Sequence, residues 1–143
     1  MNKEEVILKA SKEIDIRFSE VDSMQIVWHG SYSLYLEDAR EEFGRKYGLG
    51  YLFIFGNGFY SPLVDMNFSF KGAIAYGTRI RVDIIYKYTE AAKIVFDYEI
   101  HDTKDDRLLT VAHSVQVFLD KEYKLTWTNP DFYLEWQKKW GLI

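Results

Sequence analysis

Polar and apolar residues alternate from Glu13 to Phe18, where Glu13, Asp15 and Arg17 interleave with Ile14, Ile16 and Phe18. A period of two marks a strand with one buried face. The period lengthens beyond Ser31. Tyr32, Tyr35, Leu36, Ala39, Phe43 and Tyr47 recur at helical spacing, with Glu37, Asp38, Glu41, Glu42 and Lys46 on the other side. This predicts a helix of roughly four to five turns. Ser31 is placed to cap its start, and Gly48 with Gly50 to close its end through positive φ.

The stretch from Tyr51 to Tyr60 mixes glycines with large aromatics and reads as a packed loop. Alternation returns in four runs. Val64, Met66, Phe68 and Phe70 form the first, and Ile80, Val82, Ile84, Tyr86 and Tyr88 the second. Ile94, Phe96, Tyr98 and Ile100 form the third. In the fourth, Leu109, Val111, His113, Val115, Val117 and Leu119 share one face, which puts His113 on an inward register. Short connections make these four strands an antiparallel meander. Asn129 and Pro130 read as a cap and first-turn pair for a last helix bearing Phe132, Tyr133, Trp136 and Trp140 on one side. The fold class is therefore α+β. A curved antiparallel sheet of about five strands should wrap the long helix, whose apolar stripe has no other surface to cover it. The terminal helix closes exposed core, and residues 1–143 form a single domain.

Composition narrows the chemistry. The 143 residues suit one domain, and 48% apolar with 28% charged residues excludes disorder and fibrous repeats. A formal net charge of -4 gives no reason to expect nucleic acid. With no cysteine, disulfides, thiolate metal sites and cysteine nucleophiles are excluded together, which suits a reducing compartment. No secretory leader or bilayer-spanning stretch is evident, so a cytoplasmic protein without a membrane partner is expected. The three histidines lack zinc-site spacing, and no metal or cofactor is expected.

Chemistry concentrates between the first strand and the long helix, from Ser19 to Tyr32. Here a carboxylate, a histidine and a helix start fall within ten or so residues. A helix start presents unpaired N–H groups and the positive end of the dipole, which suits a carbonyl oxygen gaining negative charge. Asp22, just upstream, can activate water or attack the carbon itself. Asp is a weak base at neutral pH, which disfavours amide hydrolysis. A thioester is easier, because its thiolate leaves without strong acid help. Tyr32, Tyr35 and Phe43 read first as core and the acidic helix face as solvated, while His101 and His113 look structural.

Asp22-Ser-Met-Gln-Ile-Val-Trp-His29-Gly-Ser-Tyr32, with Tyr35, Glu37, Ala39 and Arg40 behind it, resembles the signature of hot-dog-fold acyl-CoA thioesterases of the 4-hydroxybenzoyl-CoA thioesterase group. The element order matches over about residues 10 to 120. The resemblance implies a hot-dog fold, a small-molecule acyl-CoA thioester as substrate, and a homodimer or homotetramer in which each active site uses both chains. It casts Asp22 as nucleophile or general base and His29 as a catalytic position, with the backbone N–H at or beside His29 binding the thioester oxygen. Gln25, Trp28, Gly30, Ser31, Tyr32 and Lys93 become substrate-binding positions. Gln25 stands where the family usually has Gly. Thr89-Glu90-Ala91-Ala92 brings no base before Lys93, leaving Lys93, Lys71 and Arg79 as candidates for the CoA phosphates. A non-catalytic thioester- or lipid-binding module, and a hydratase or dehydratase pairing His29 with Glu37, stay open as alternatives.

Overall fold

The computed structural model describes residues 6–143; the first five residues, part of the stretch searched above for a leader, lie outside the described residues. Five strands form one antiparallel sheet: β1 (Lys9–Asp15), β3 (Leu63–Phe70), β4 (Arg79–Lys87), β5 (Lys93–Asp102) and β6 (Leu108–Val117). Their spatial order is β1-β4-β5-β6-β3. Only β4, β5 and β6 follow one another as a meander. The expected fourth member, β3, pairs with β6, with Phe68 opposite Ala112. The connection from β3 to β4 is anchored elsewhere: Val27 N–H donates to the Ile74 carbonyl at 2.8 Å, and Ile26 bridges Ala75. That connection crosses the end of the sheet.

β1 also lies earlier in the chain than its alternation suggests. Ile16 still points inward and is buried, but Phe18 is 74% exposed and opens a short 3-10 turn, Phe18–Glu20. The Arg17 N–H, which could have extended the ladder, donates instead to Glu20 Oε1 at 2.7 Å.

The sheet curls around α1 (Tyr32–Tyr47), giving the hot-dog arrangement. Tyr35, Leu36 and Ala39 are fully buried in one core with Ile80, Val82, Ile84 and Ile100. Phe43 meets Phe96 edge-on at 4.9 Å. α1 ends at Gly48, whose φ of 72° is left-handed and whose N–H donates to the Gly44 carbonyl. Gly50, at φ −79°, needs no glycine freedom.

The face of β6 is opposite to the expected one. Thr110, Ala112 and Ser114 are buried, while Val111, His113 and Val115 turn outward. Thr and Ser pass for polar residues in a binary pattern, yet the Ser114 hydroxyl is satisfied inside by the Tyr98 hydroxyl at 2.6 Å. On the outer face His113 Nδ1 sits 2.6 Å from Asp97 Oδ1, and His101 Nδ1 sits 3.1 Å from the Asp106 carbonyl.

The stretch after α1 is not a plain loop. It forms α2 (Tyr51–Gly56), which buries Ile54, and the two-residue β2 (Phe59–Tyr60), paired with β7 (Leu119–Asp120). The last helix, α3 (Asp131–Lys139), starts one residue later than expected, because Pro130 is extended at ψ 149° and occupies the cap position itself. The indoles of Trp136 and Trp140 both donate to the Tyr47 carbonyl, at 2.8 and 2.9 Å, and so satisfy an orphan acceptor at the end of α1. Among the described residues no helix is long and apolar enough to cross a membrane.

Candidate active site

Val21 and Val27 pair as an isolated bridge, and the chain between them closes into a tight turn. Asp22 N–H donates to the Ile26 carbonyl and Gln25 N–H to the Asp22 carbonyl, each at 2.9 Å. Gln25 carries the turn in the left-handed region at φ 61°. The geometry is one glycine adopts without strain, so this Gln holds the loop in the shape a Gly would give. Asp22 Oδ1 accepts the Met24 N–H at 2.9 Å, which fixes the side chain by its own loop. Among the described residues Oδ2 has no partner.

A 3-10 turn, His29–Ser31, leads directly into α1. Its first hydrogen bond runs from Ser31 N–H to the Trp28 carbonyl at 2.8 Å, so the amides of His29 and Gly30 lie ahead of the helical ladder. Ser31 does not cap the helix as expected. Its hydroxyl donates to the Glu20 carbonyl at 3.1 Å, which also accepts Trp28 N–H at 2.9 Å. With no side-chain cap, the mouth of α1 keeps its positive end for a ligand.

Glu20 joins these parts. It is only 9% exposed, and its Oε1 accepts the Tyr35 hydroxyl at 3.2 Å as well as the Arg17 amide. Burial, reinforced by the Glu20 charge, pushes the Tyr35 hydroxyl well above its usual pKa, so it acts purely as a donor.

Asp22, Val27, His29 and Tyr32 line one cleft of about 450 Å³ together with Phe70 at the far end of β3 and Lys71 just beyond it. Tyr32 is buried, its hydroxyl raised by desolvation, and its ring packs edge-on to Phe70 at 4.7 Å. Four predicted positions, Asp22, His29, Tyr32 and Lys71, therefore come together there, and the others are placed differently. Trp28 folds outside, its indole over Gly30 and 4.9 Å from the His29 ring. A side chain at residue 30 would collide with that indole as it lies, so the half-exposed Trp28 would have to swing away to admit one. Gln25 sits exposed at the loop tip, and Ser31 is buried beneath the mouth. Lys93 opens β5 on the surface and lines no part of the cleft. Arg79 is engaged with Glu13 and Asp15 at 3.2 and 3.0 Å. Lys71 is the base that reaches the cleft. Among the described residues no group of three or more His, Asp and Glu could hold a metal ion.

Sequence reasoning missed a second cavity, of about 350 Å³, between α1, α2 and the near end of β3, which includes Arg40, Ile54, Leu63 and Phe96. One signal was available. Arg40 follows Leu36 by four residues, where the buried stripe of α1 would otherwise continue.

Residues 16–137 match the Thioesterase-like superfamily. YneP of Bacillus subtilis (strain 168), a candidate acyl-CoA thioesterase by name, is 32% identical over 113 residues, 79% of this chain and 81% of that protein. The DHNA-CoA thioesterase of Staphylococcus aureus superposes with a TM-score of 0.81 at 27% identity, covering 94% of this chain and 92% of its own. The 1,4-dihydroxy-2-naphthoyl-CoA thioesterase of Synechocystis shares the fold, with a TM-score of 0.79 at 21% identity over 90% of this chain and 94% of its own.

Proposed function

This chain belongs to the Thioesterase-like superfamily, and from that footing we propose that it hydrolyses an acyl-CoA thioester to a carboxylic acid and free CoA thiol, using Asp22. The observation that carries the reading is one cleft shared by Asp22 and the uncapped mouth of α1. A thioester carbonyl oxygen seated at the His29 and Gly30 amides meets the positive end of the helix as its charge grows. Asp22, held through Oδ1, has Oδ2 available to activate water or to attack the carbonyl carbon. Attack by Oδ2 forms a mixed anhydride and expels the thiolate; water then cleaves the anhydride and restores the carboxylate. In the general-base route Oδ2 takes the proton of the attacking water. Either way the thiolate, with a thiol pKa of about 8.5, leaves without a strong acid. Lys71 is the group positioned to meet the CoA phosphates.

The active unit in this reading is a homodimer. β3 is an edge strand, and its Leu63, Val64 and Phe70 are exposed. An apolar open edge invites another strand, and a second copy closes it symmetrically. Antiparallel pairing of two β3 edges would bring the Phe70 end of one chain beside the Leu63 end of the other. Each Asp22 cleft would then abut the second cavity of the partner chain. Following thiol release from a panel of short, long and aromatic acyl-CoAs tests the activity. Asp22-dependent turnover of at least one supports it, and tight binding without turnover contradicts it.

A further inference from the structure

The second cavity is lined by apolar Leu49, Ile54 and Phe96 and by polar Glu37, Arg40 and Gln116. Arg40 is half-buried, and among the described residues its guanidinium makes no ion pair. Glu41, one residue on, is engaged by Arg45 at 2.7 Å instead. Arg40 Nη1 donates to the Tyr98 hydroxyl at 3.2 Å, and Tyr98 is itself locked by Ser114. A guanidinium carries five N–H donors, and this one spends a single donor on a side chain. Partly desolvated cationic donors beside an apolar wall are costly unless a ligand brings an acceptor.

We infer that this cavity receives the acyl group of the substrate and that Arg40 selects acyl groups bearing a neutral oxygen, hydroxyl or carbonyl, remote from the thioester. The inference rests on the thioesterase reading and on the paired β3 edges that set the cavity against the partner's Asp22 cleft. A neutral oxygen fits better than a carboxylate, because Glu37 and Glu41 line the same cavity and would repel a second negative charge. A hydroxyl can accept from Arg40 and donate to Glu37. A plain hydrocarbon leaves the guanidinium unpaired, which is how a polar site rejects an analogue lacking the matching group.

The test uses the intact dimer and two CoA thioesters of equal chain length, one a plain medium-chain acyl-CoA and the other hydroxylated near the chain end. Wild type should favour the hydroxylated substrate in kcat/KM by about ten- to a hundredfold, the value of one charge-assisted hydrogen bond. Arg40→Met should bring the ratio to about one, and Arg40→Lys should restore part of it. In a mixed dimer of an Asp22→Asn chain with an Arg40→Met chain, the one working Asp22 faces an intact Arg40 across the interface, and the wild-type ratio should return. A ratio near one in that dimer overturns the placement across the interface. A wild-type ratio near one, or an unchanged ratio in both Arg40 variants, overturns the role of Arg40 while Asp22-dependent turnover leaves the thioesterase reading standing. Absence of hydrolysis with both substrates overturns the selection by Arg40, and absence across the whole acyl-CoA panel overturns the thioesterase reading as well.

Discussion

The hydroxyl of Tyr35 donates to Glu20 Oε1 at 3.2 Å and ties the first turn of α1 to the loop that carries Asp22. Glu20→Ala would leave the buried Tyr35 hydroxyl without an acceptor, at about 1–3 kcal/mol, and free the Arg17 amide, which is less buried, at a smaller cost. Glu20→Gln keeps an Oε1 acceptor and should lose far less. Urea unfolding of the two variants checks the ranking, and the Ala variant should also lose more in kcat than in KM, because the cleft walls shift relative to each other.

Gln25 holds a left-handed conformation at φ 61°, which costs an L-residue on the order of 1 kcal/mol. Gln25→Gly should raise stability by up to about 1 kcal/mol after its own entropy in the unfolded chain is counted, and Gln25→Val should lower it. Thermal unfolding resolves both signs.

Much of the fold was legible because burial on one face writes a period. The α1 stripe and the alternation in β4 and β5 are apolar on one side and charged on the other, so their registers could be read directly. β6 failed because both its faces lack charge, apart from His113: Thr110, Ala112 and Ser114 are small enough to be buried, and the Ser114 hydroxyl is satisfied inside by Tyr98. Ser31 is a good cap by type, but its hydroxyl turns to the Glu20 carbonyl, from a segment eleven residues earlier, rather than to its own helix. The pairing of β3 with β6 depends on a crossover pinned by Val27 and Ile74, a contact between segments remote in sequence. At the site, the local stretch from Asp22 to Tyr32 was visible as a unit. Lys71 was legible only as one of three candidate bases, and the Arg40 cavity was not legible, since the neighbours of both come from other elements.

Asp38 sits on α1 where burial, and then the charges of Glu41, Glu20 and Glu37, raise its pKa above the ordinary 3.8, with Lys12 opposing. A raised folded-state value means the group's favourable contribution is complete below 3.8 and is lost as pH rises through the folded-state pKa. At neutral pH the ionised carboxylate is thus unfavourable. Asp38→Asn should raise the Tm at pH 7, and the gain should shrink toward zero as the pH approaches 3; a gain that grows in acid would contradict the sign.

Val64 is 59% exposed on the open edge of β3. Val64→Lys combined with Asn67→Lys would set like charges against each other across a two-fold axis, a device that blocks edge pairing. Sedimentation should show a dimer turning into a monomer, with acyl-CoA turnover lost at the same time. A fully active monomer would contradict a site shared between chains.

Asp22→Asn is the most direct measurement of all. An Asn side-chain oxygen can still accept the Met24 amide, so the loop and the Tm should stay close to wild type. Turnover of the best acyl-CoA substrate should fall by about a hundredfold or more. A folded Asp22→Asn protein with wild-type kcat would contradict the assignment of Asp22 to the chemical step.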